Sequence, residues 1–166
     1  MSIRVQQEDF DVGDELQAFR QLDKQTGAVV SFVGLVRDQN SSQKIHSMTL
    51  EHYPSMTEQV LTDIEQLARE RWELLDVLVI HRIGELLPTD QIVLVMVSSA
   101  HRGEAFSACE FLMDYLKTKA PFWKKEKTDC GSHWIEARNS DNRKVKRWQE
   151  SKPLSDTWLP LSYSLK

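Results

Sequence analysis

The hydrophobic and polar positions of this chain change their spacing several times, and each change marks a predicted element. Residues 12–22 repeat apolar side chains at helical spacing, and the apolar run at 28–36 predicts a strand. The polar segment 38–44, DQNSSQK, is rich in turn formers and predicts an exposed, mobile loop before a second strand at 48–53. The first third of the chain therefore predicts one helix and two strands.

A second helix is predicted after Pro54, which ends the preceding strand. Ser55 and Glu58 have the spacing of a capping box, in which each side chain binds a backbone N–H of the first turn. Apolar residues then recur every three or four positions, so we expect this helix to end near Trp72.

Two short runs rich in β-branched residues, 74–80 and 92–97, are separated by a turn and predict neighbouring antiparallel strands. A helix follows the second run and must end before Pro121. The predicted buried face of this helix consists of Ala105, Cys109, Leu112 and Leu116.

The remaining pattern predicts two more strands, at 122–126 and 133–138. Because strands come in pairs instead of alternating strictly with helices, the sequence favours an α+β fold with a mostly antiparallel sheet over a doubly wound parallel sheet. We expect a single domain over residues 1–150, with helices flanking the sheet. Residues 151–166 have no helical or strand period and predict a tail, either frayed or docked as an extended strap.

Composition narrows the class of protein. The chain has 166 residues, of which 40% are hydrophobic and 28% charged, and its net charge of -4 argues against a general nucleic-acid binder. No apolar run is long enough to span a bilayer and the N-terminus lacks a secretory signal, so we expect a cytoplasmic protein without a membrane partner. Two cysteines are too few for a metal cluster, and we expect both to be reduced.

Positive charge gathers in one segment against this acidic balance. Residues 113–126 read MDYLKTKAPFWKKE, in which Lys117 and Lys119 occupy the last turn of the predicted helix. A cationic field beside apolar rings suits an anionic substrate, because Coulomb attraction strengthens as water is excluded. The helix dipole explains Lys119, whereas Lys117 lies at the margin of the buried stripe, where we expect partial desolvation. In an extended strand, Lys124 and Lys125 point to opposite faces.

Two further groups offer ligands for an anion. His101 and Arg102 lie at a predicted helix N-terminus, where backbone N–H groups and the dipole favour an anion; the alternative is a solvated first turn. Arg37 directly follows an apolar strand. Its guanidinium either binds a phosphate or carboxylate through two parallel hydrogen bonds, or faces water. His52 and His81 lack the spacing of a metal site and are expected to be structural.

Five motifs occur in order along the chain: GAVVSFVGLVR, LEHYPSMTE, VIHRIGEL, SSAHRGEAF and MDYLKTKAPFWKKE. Together they resemble the large, catalytic subunit of molybdopterin synthase, the MoaE family, over residues 27–138. The resemblance implies an α/β-hammerhead-like fold. It also implies a sulfurtransferase that builds the dithiolene of molybdopterin during molybdenum cofactor biosynthesis.

The resemblance further implies the substrates and partners. Sulfur passes to cyclic pyranopterin monophosphate from a thiocarboxylate on the C-terminal Gly-Gly tail of a small ubiquitin-like subunit, MoaD-like in the terms of the family. The implied assembly is a heterotetramer, with a central homodimer of large subunits and one small subunit at each end. No metal and no cofactor are implied for the large subunit, and neither nucleic acid nor a membrane takes part.

Residue roles also follow from the resemblance. Lys117 matches a lysine that is essential to catalysis in the family and lies where the tail of the small subunit ends. Lys124 matches a second catalytic lysine, which we assign to substrate orientation and proton transfer. The other positions implied to bind substrate are Leu35, Val36, Arg37, His101, Arg102, Lys125 and Glu126. Arg37 and Arg102 are the implied phosphate ligands, and Arg138 is implied to reach into the neighbouring subunit's site.

Three other functions compete with this interpretation. One is a scaffold that holds a ubiquitin-like partner without catalysis. Another is sulfur relay through a cysteine persulfide, for which Cys130 is the plausible carrier because Cys109 lies on the apolar helix face. Nucleic-acid binding, the third, is opposed by the acidic net charge. The set of lysines and arginines favours catalysis.

Overall fold

The computed structural model describes residues 2–40, 43–135 and 144–148. Within these ranges the helices are α1 (Val12–Phe19), α2 (Met56–Arg69) and α3 (Arg102–Lys119), and residues 144–148 are also helical. The strands are β1 (Ser2–Gln6), β2 (Ala28–Leu35), β3 (Gln39–Asn40), β4 (Gln43–His52), β5 (Asp76–Arg82), β6 (Gly84–Leu86), β7 (Gln91–Ser99), β8 (Phe122–Thr128) and β9 (Gly131–Ile135). The predicted helices and strand pairs are present, and β1, β3 and β6 are additional.

A four-stranded sheet in the order β1-β5-β7-β2 forms one layer of the fold. β1 runs parallel to β5, and the other two pairings are antiparallel. β5 and β7 are nearly unbroken apolar runs because both faces of this sheet are covered. The α+β class and the antiparallel pairing of β5 with β7 are confirmed.

Helices cover both faces of the four-stranded sheet. On one face, Phe19 of α1 packs with Phe10 against Leu78 and its neighbours. On the other face, α2 and α3 cover Val77, Val79 and the matching valines of β7. Adjacent residues of β5 thus enter different cores, because side chains alternate along a strand. All four residues predicted for the buried face of α3 are buried.

A second, five-stranded sheet has the order β3-β4-β8-β9, with β6 paired to β4. Its core consists of Met48, Leu50 and Leu86 together with Val36. Val36 directly follows β2 of the first sheet, so this residue joins the two sheets. The mostly antiparallel arrangement predicted from the sequence is confirmed in both sheets.

The predicted capping box at the start of α2 is wrong. Ser55 has a φ of 66° and its side chain makes no capping hydrogen bond. A capping side chain normally extends from a residue in the β region, and the positive φ of Ser55 does not give that geometry. The hydroxyl of Thr57 instead donates to the carbonyl oxygen of Tyr53 at 2.9 Å. The helix also ends at Arg69, somewhat before the predicted Trp72.

The segment 38–44, predicted to be a mobile loop, contains strand pairing instead. Gln39 pairs with Lys44 and Asn40 with Gln43, while residues 41–42 lie outside the described ranges. Polar side chains predict a loop, but a short hairpin is held by backbone hydrogen bonds that polar side chains do not prevent.

Some predictions fall beyond the described residues. β9 agrees with the first part of the strand predicted at 133–138, whereas Arg138 and the tail 151–166 lie outside the described ranges. Of the helices in the described ranges, none combines the length and the apolar character needed to cross a bilayer.

Candidate active site

The end of the four-stranded sheet where β2 stops and β7 begins carries two cationic side chains. Leu35, the last residue of β2, pairs with Gln91, the first residue of β7. Only two residues link β7 to α3, so α3 folds back antiparallel over β7. Its last turn, which carries Lys117, therefore returns to the end of the sheet at which Arg37 follows β2. Both of these side chains are exposed.

Lys124 reaches the same region from the second sheet. It pairs with Leu50 of β4, and Leu50 packs with Val36 in the buried core. Residues directly opposite each other in an antiparallel pair point to the same face, so Lys124 lies on the side of β8 that faces Val36, the residue before Arg37. Arg37, Lys117 and Lys124 are thus gathered at one end of the molecule. We call these three residues the lysine centre.

A buried carboxylate fixes the position of the Lys124 ammonium. The Nζ of Lys124 lies 2.6 Å from the Oε1 of Glu126, and the Glu126 side chain is 3% exposed against 36% for Lys124. A buried charge requires a partner, so the Glu126 carboxylate orients the Lys124 ammonium from its buried side. The structure thus places Glu126, implied by the resemblance to contact substrate, beneath Lys124. The predicted alternation, with both residues on one face of β8, is confirmed.

Lys125 points away from the lysine centre. It pairs with Trp134 across β8 and β9, and its Nζ lies 5.5 Å from the centre of the Trp134 ring. Trp123 and Trp134 are both exposed. The predicted division of Lys124 and Lys125 between opposite faces is confirmed, and within one chain Lys125 does not join Lys124.

Lys117 is exposed to solvent in a single chain, so the partial desolvation predicted for this side chain is wrong for the isolated chain. The buried run of α3 stops at Leu116, one residue earlier. Lys119 is exposed in the same last turn, and the negative end of the helix dipole favours both ammonium groups. Burial in one chain therefore does not distinguish the two lysines.

The segment before Arg37 is held by hydrogen bonds to a turn. The N–H of Thr89 donates to the Val36 carbonyl oxygen at 2.8 Å, and the N–H of Val36 donates to the Asp90 carbonyl oxygen at 2.9 Å. The sequence predicts this turn but not these bonds. Thr89 has a φ of 80°, which strains a β-branched residue. Leu35 and Val36 are the two residues before Arg37. The Val36 side chain is buried, so of these two residues only Leu35 offers a side chain to a ligand.

His101 and Arg102 are not brought to the lysine centre. Lys117 comes 15 residues after Arg102 on α3, and at a rise of about 1.5 Å per residue the two positions are separated by about 22 Å. His101 and Arg102 are both exposed, and we call them the helix-start centre. Within one chain, the cationic residues implied to bind substrate therefore lie in two centres at opposite ends of α3.

Close packing supports the helix-start centre. The Oγ of Ser99 lies 2.8 Å from the Oε2 of Glu104 and accepts a hydrogen bond from the His101 N–H at 3.3 Å. Gly27 approaches the same connection so closely that a Cβ atom would lie 2.2 Å from the carbonyl oxygen of Ala100. Only glycine fits this contact, which lies two residues before α3 begins.

The two cysteines differ in their access to solvent. Both are free thiols, Cys109 buried and Cys130 exposed in the turn between β8 and β9. Burial, with a smaller effect of Glu110, raises the pKa of Cys109 to about 11, so its thiol stays protonated near neutral pH. Of the two thiols, only that of Cys130 is accessible. In the part of the chain that the structure describes, no group of three or more His, Cys, Asp or Glu side chains is arranged to hold a metal ion.

Known proteins resemble this chain over most of its length. Residues 5–119 match the family model described as MoaE protein. The chain is 58% identical over 147 residues to the molybdopterin synthase catalytic subunit of Ralstonia nicotianae, covering 89% of this chain and 84% of that protein. Among solved structures, it matches the molybdopterin biosynthesis MoaE protein of Burkholderia ambifaria with a TM-score of 0.77 and 50% identity, over 89% and 97% of the two chains. It matches molybdopterin synthase from Staphylococcus aureus with a TM-score of 0.73 and 32% identity, over 80% and 96%.

Proposed function

Because this chain belongs to the MoaE protein family, we propose that it is the catalytic subunit of a molybdopterin synthase. In this role it is an enzyme of molybdopterin biosynthesis, and specifically a sulfurtransferase. It takes sulfur from the thiocarboxylated C-terminus of a small ubiquitin-like subunit and transfers it to cyclic pyranopterin monophosphate. The cytoplasm is the proposed compartment.

Both substrates of this reaction are anions, which requires a cationic site. In each transfer the thiocarboxylate sulfur forms a bond to a pterin side-chain carbon, and the carbon–oxygen bond that breaks there releases water or, at the carbon that carries the cyclic phosphate, the ester oxygen, which stays on the phosphate. A second water then adds to the acyl carbon, the acyl–sulfur bond breaks, and the small subunit leaves with an ordinary carboxylate while the sulfur takes a proton. Lys117 stabilises the oxyanion formed at the acyl carbon, and Lys124 orients the pterin and moves protons.

The ion pair between Lys124 and the buried Glu126 is the observation that carries the proposal. A lysine facing solvent normally samples many rotamers, and ordering it costs free energy. The Glu126 carboxylate at 2.6 Å holds the ammonium in place before substrate arrives. Arg37 and Lys117 lie at the same end of the molecule, so the lysine centre is prepared to bind two anions close together.

We further propose that a second copy of the chain completes each site. His101 and Arg102, implied substrate ligands, begin a helix whose Lys117 is about 22 Å away, too far to bind one small ligand together. In a twofold-symmetric dimer the helix-start centre of each copy lies against the lysine centre of the other, so two complete sites form. Arg138, outside the described residues, is proposed to cross the dimer in the same way.

Lys117→Ala tests the catalytic role against a matched control, Lys119→Ala. Both lysines are exposed in the last turn of α3, so both variants lose a similar dipole stabilisation, about 0.3–1 kcal/mol. We expect sulfur transfer to fall by at least ~100-fold in Lys117→Ala and to stay within about twofold in Lys119→Ala. Mass spectrometry of the pterin product, with thiocarboxylated small subunit, measures the rate. Full conversion by Lys117→Ala would contradict the catalytic role of Lys117.

A double variant separates direct transfer from a persulfide relay. Cys109→Ser with Cys130→Ser removes both thiols that could carry a persulfide. Direct transfer from the thiocarboxylate predicts that the folded double variant still forms product. Loss of product in that folded variant would favour the relay.

A further inference from the structure

The ring of Phe122 lies beside two histidines. His81 stacks on it with 3.7 Å between ring centres and 12° between ring planes. His52 stacks more loosely, at 6.3 Å and 22°. His81 belongs to β5 of the four-stranded sheet and His52 to β4 of the five-stranded sheet, so Phe122 lies where the two sheets meet.

In the sequence, Phe122 also lies between the two lysines that the proposed reaction requires, Lys117 and Lys124. It is the first residue of β8, five residues after Lys117 and two before Lys124. Because side chains alternate along a strand, Phe122 and Lys124 share a face of β8. The chain turns from helix to strand over Ala120 and Pro121, so the placement of Phe122 sets how Lys124 lies relative to the end of α3.

His81 is held as a rigid, neutral ring. Its side chain is 5% exposed, and its Nδ1 lies 2.8 Å from the carbonyl oxygen of Arg82. A carbonyl oxygen only accepts hydrogen bonds, so Nδ1 carries the proton and donates it. Burial lowers the pKa of His81 to about 4, which keeps the ring uncharged near neutral pH. This hydrogen bond fixes the plane on which Phe122 stacks.

We propose that His81 is a positioning residue for sulfur transfer, which acts by holding Phe122 and thereby fixing Lys124 relative to Lys117. The proposal rests on the proposed function and extends it to a residue outside the lysine centre. Replacing His81 by a small side chain opens space beside Phe122 and lets the start of β8 shift. A displacement of about 1 Å in a catalytic group can lower a rate by up to ~100-fold, although the substrate still binds.

Three variants test the positioning role in the full chain assembled with the thiocarboxylated small subunit. His81→Ala removes the stack, and His81→Phe keeps an aromatic surface of similar shape. Phe19→Leu removes volume from the core on the α1 face and is the control for general destabilisation. At a temperature where all three are folded, we expect kcat to fall about tenfold or more in His81→Ala with little change in KM, and to recover to within about threefold in His81→Phe. Phe19→Leu should keep the wild-type kcat.

Competitive acetylation of lysine amines, read by mass spectrometry, gives an answer independent of sulfur transfer. His81→Ala should change the labelling rate of Lys124 relative to that of Lys24, an exposed lysine after α1, and His81→Phe should restore it. Wild-type kcat and labelling in His81→Ala, or a His81→Phe variant as slow as His81→Ala, would overturn the proposal. If wild type forms no product, the proposed function fails, and the labelling ratio still decides whether His81 positions Lys124.

Discussion

Acid sensitivity of folding is the most direct consequence of the buried His81. The pKa of this side chain is lowered from 6.5 to about 4, chiefly by burial; the bond to Arg82 opposes this effect and the nearby His52 adds to it slightly. Between these two pH values the unfolded chain takes up a proton that the folded protein does not. Each pH unit in that window costs the folded state about 1.4 kcal/mol. The stability present above pH 6.5 is therefore lost as the pH falls, by about 3 kcal/mol at pH 4.

Urea unfolding at several pH values, with wild type and His81→Phe side by side, measures this loss. All other titrating groups are common to the two proteins, so the difference between their unfolding free energies isolates His81. We expect this difference to shift in favour of His81→Phe by about 3 kcal/mol between pH 7 and pH 4. Phe19→Leu, which changes no titratable group, should shift the free energy of unfolding by a constant amount. Parallel curves for wild type and His81→Phe would show that burial does not lower the pKa of His81.

Three further substitutions, one of them with a control, test packing, backbone strain and a buried carboxylate by urea unfolding. Gly27→Ala forces a Cβ to 2.2 Å from a backbone oxygen and should cost about 1–3 kcal/mol, whereas Gly103→Ala, with no atom within 4 Å, should cost nothing; equal effects would contradict the packing argument. Thr89→Gly relieves a φ of 80° and should stabilise by about 1 kcal/mol, and a loss of stability would show that the turn is unstrained. Asp114→Ala removes the carboxylate that binds two side chains of the helical residues 144–148 and should cost roughly 2 kcal/mol; an unchanged free energy of unfolding would mean that this contact contributes nothing.

Helix α3 is predictable because several local signals agree. Its apolar spacing, its start after a strand and Pro121 beyond its end all define the same segment. The β3 and β4 hairpin is not predictable in this way, because its polar residues carry the signal of a loop while its backbone forms the pairing. The cap at Ser55 fails for a similar reason, since the spacing of residues does not determine the φ of the first residue.

The residue types of the site are predictable, but their grouping is not. Lys117, Lys124 and Arg102 are recognisable as cations with possible partners, and sequence motifs place them in one family. Their separation follows from the run of α3 along the whole length of β7, which places Arg102 and Lys117 at opposite ends of the sheet. The burial of Glu126 likewise depends on a strand that is distant in sequence, because Glu126 pairs with Met48 of β4.

Mixing two inactive variants and measuring the activity that returns shows whether two copies of the chain share each site. Lys117→Ala impairs the lysine centre and Arg102→Ala impairs the helix-start centre. If two copies build each site, a dimer of either variant has no intact site. After the two variants are dissociated and reassembled together at equal amounts, half of the dimers contain one of each, and each such dimer has one intact site. If two copies build each site, about a quarter of the wild-type rate of product formation returns. A mixture no more active than the separate variants would contradict a sulfur-transfer site shared between two copies.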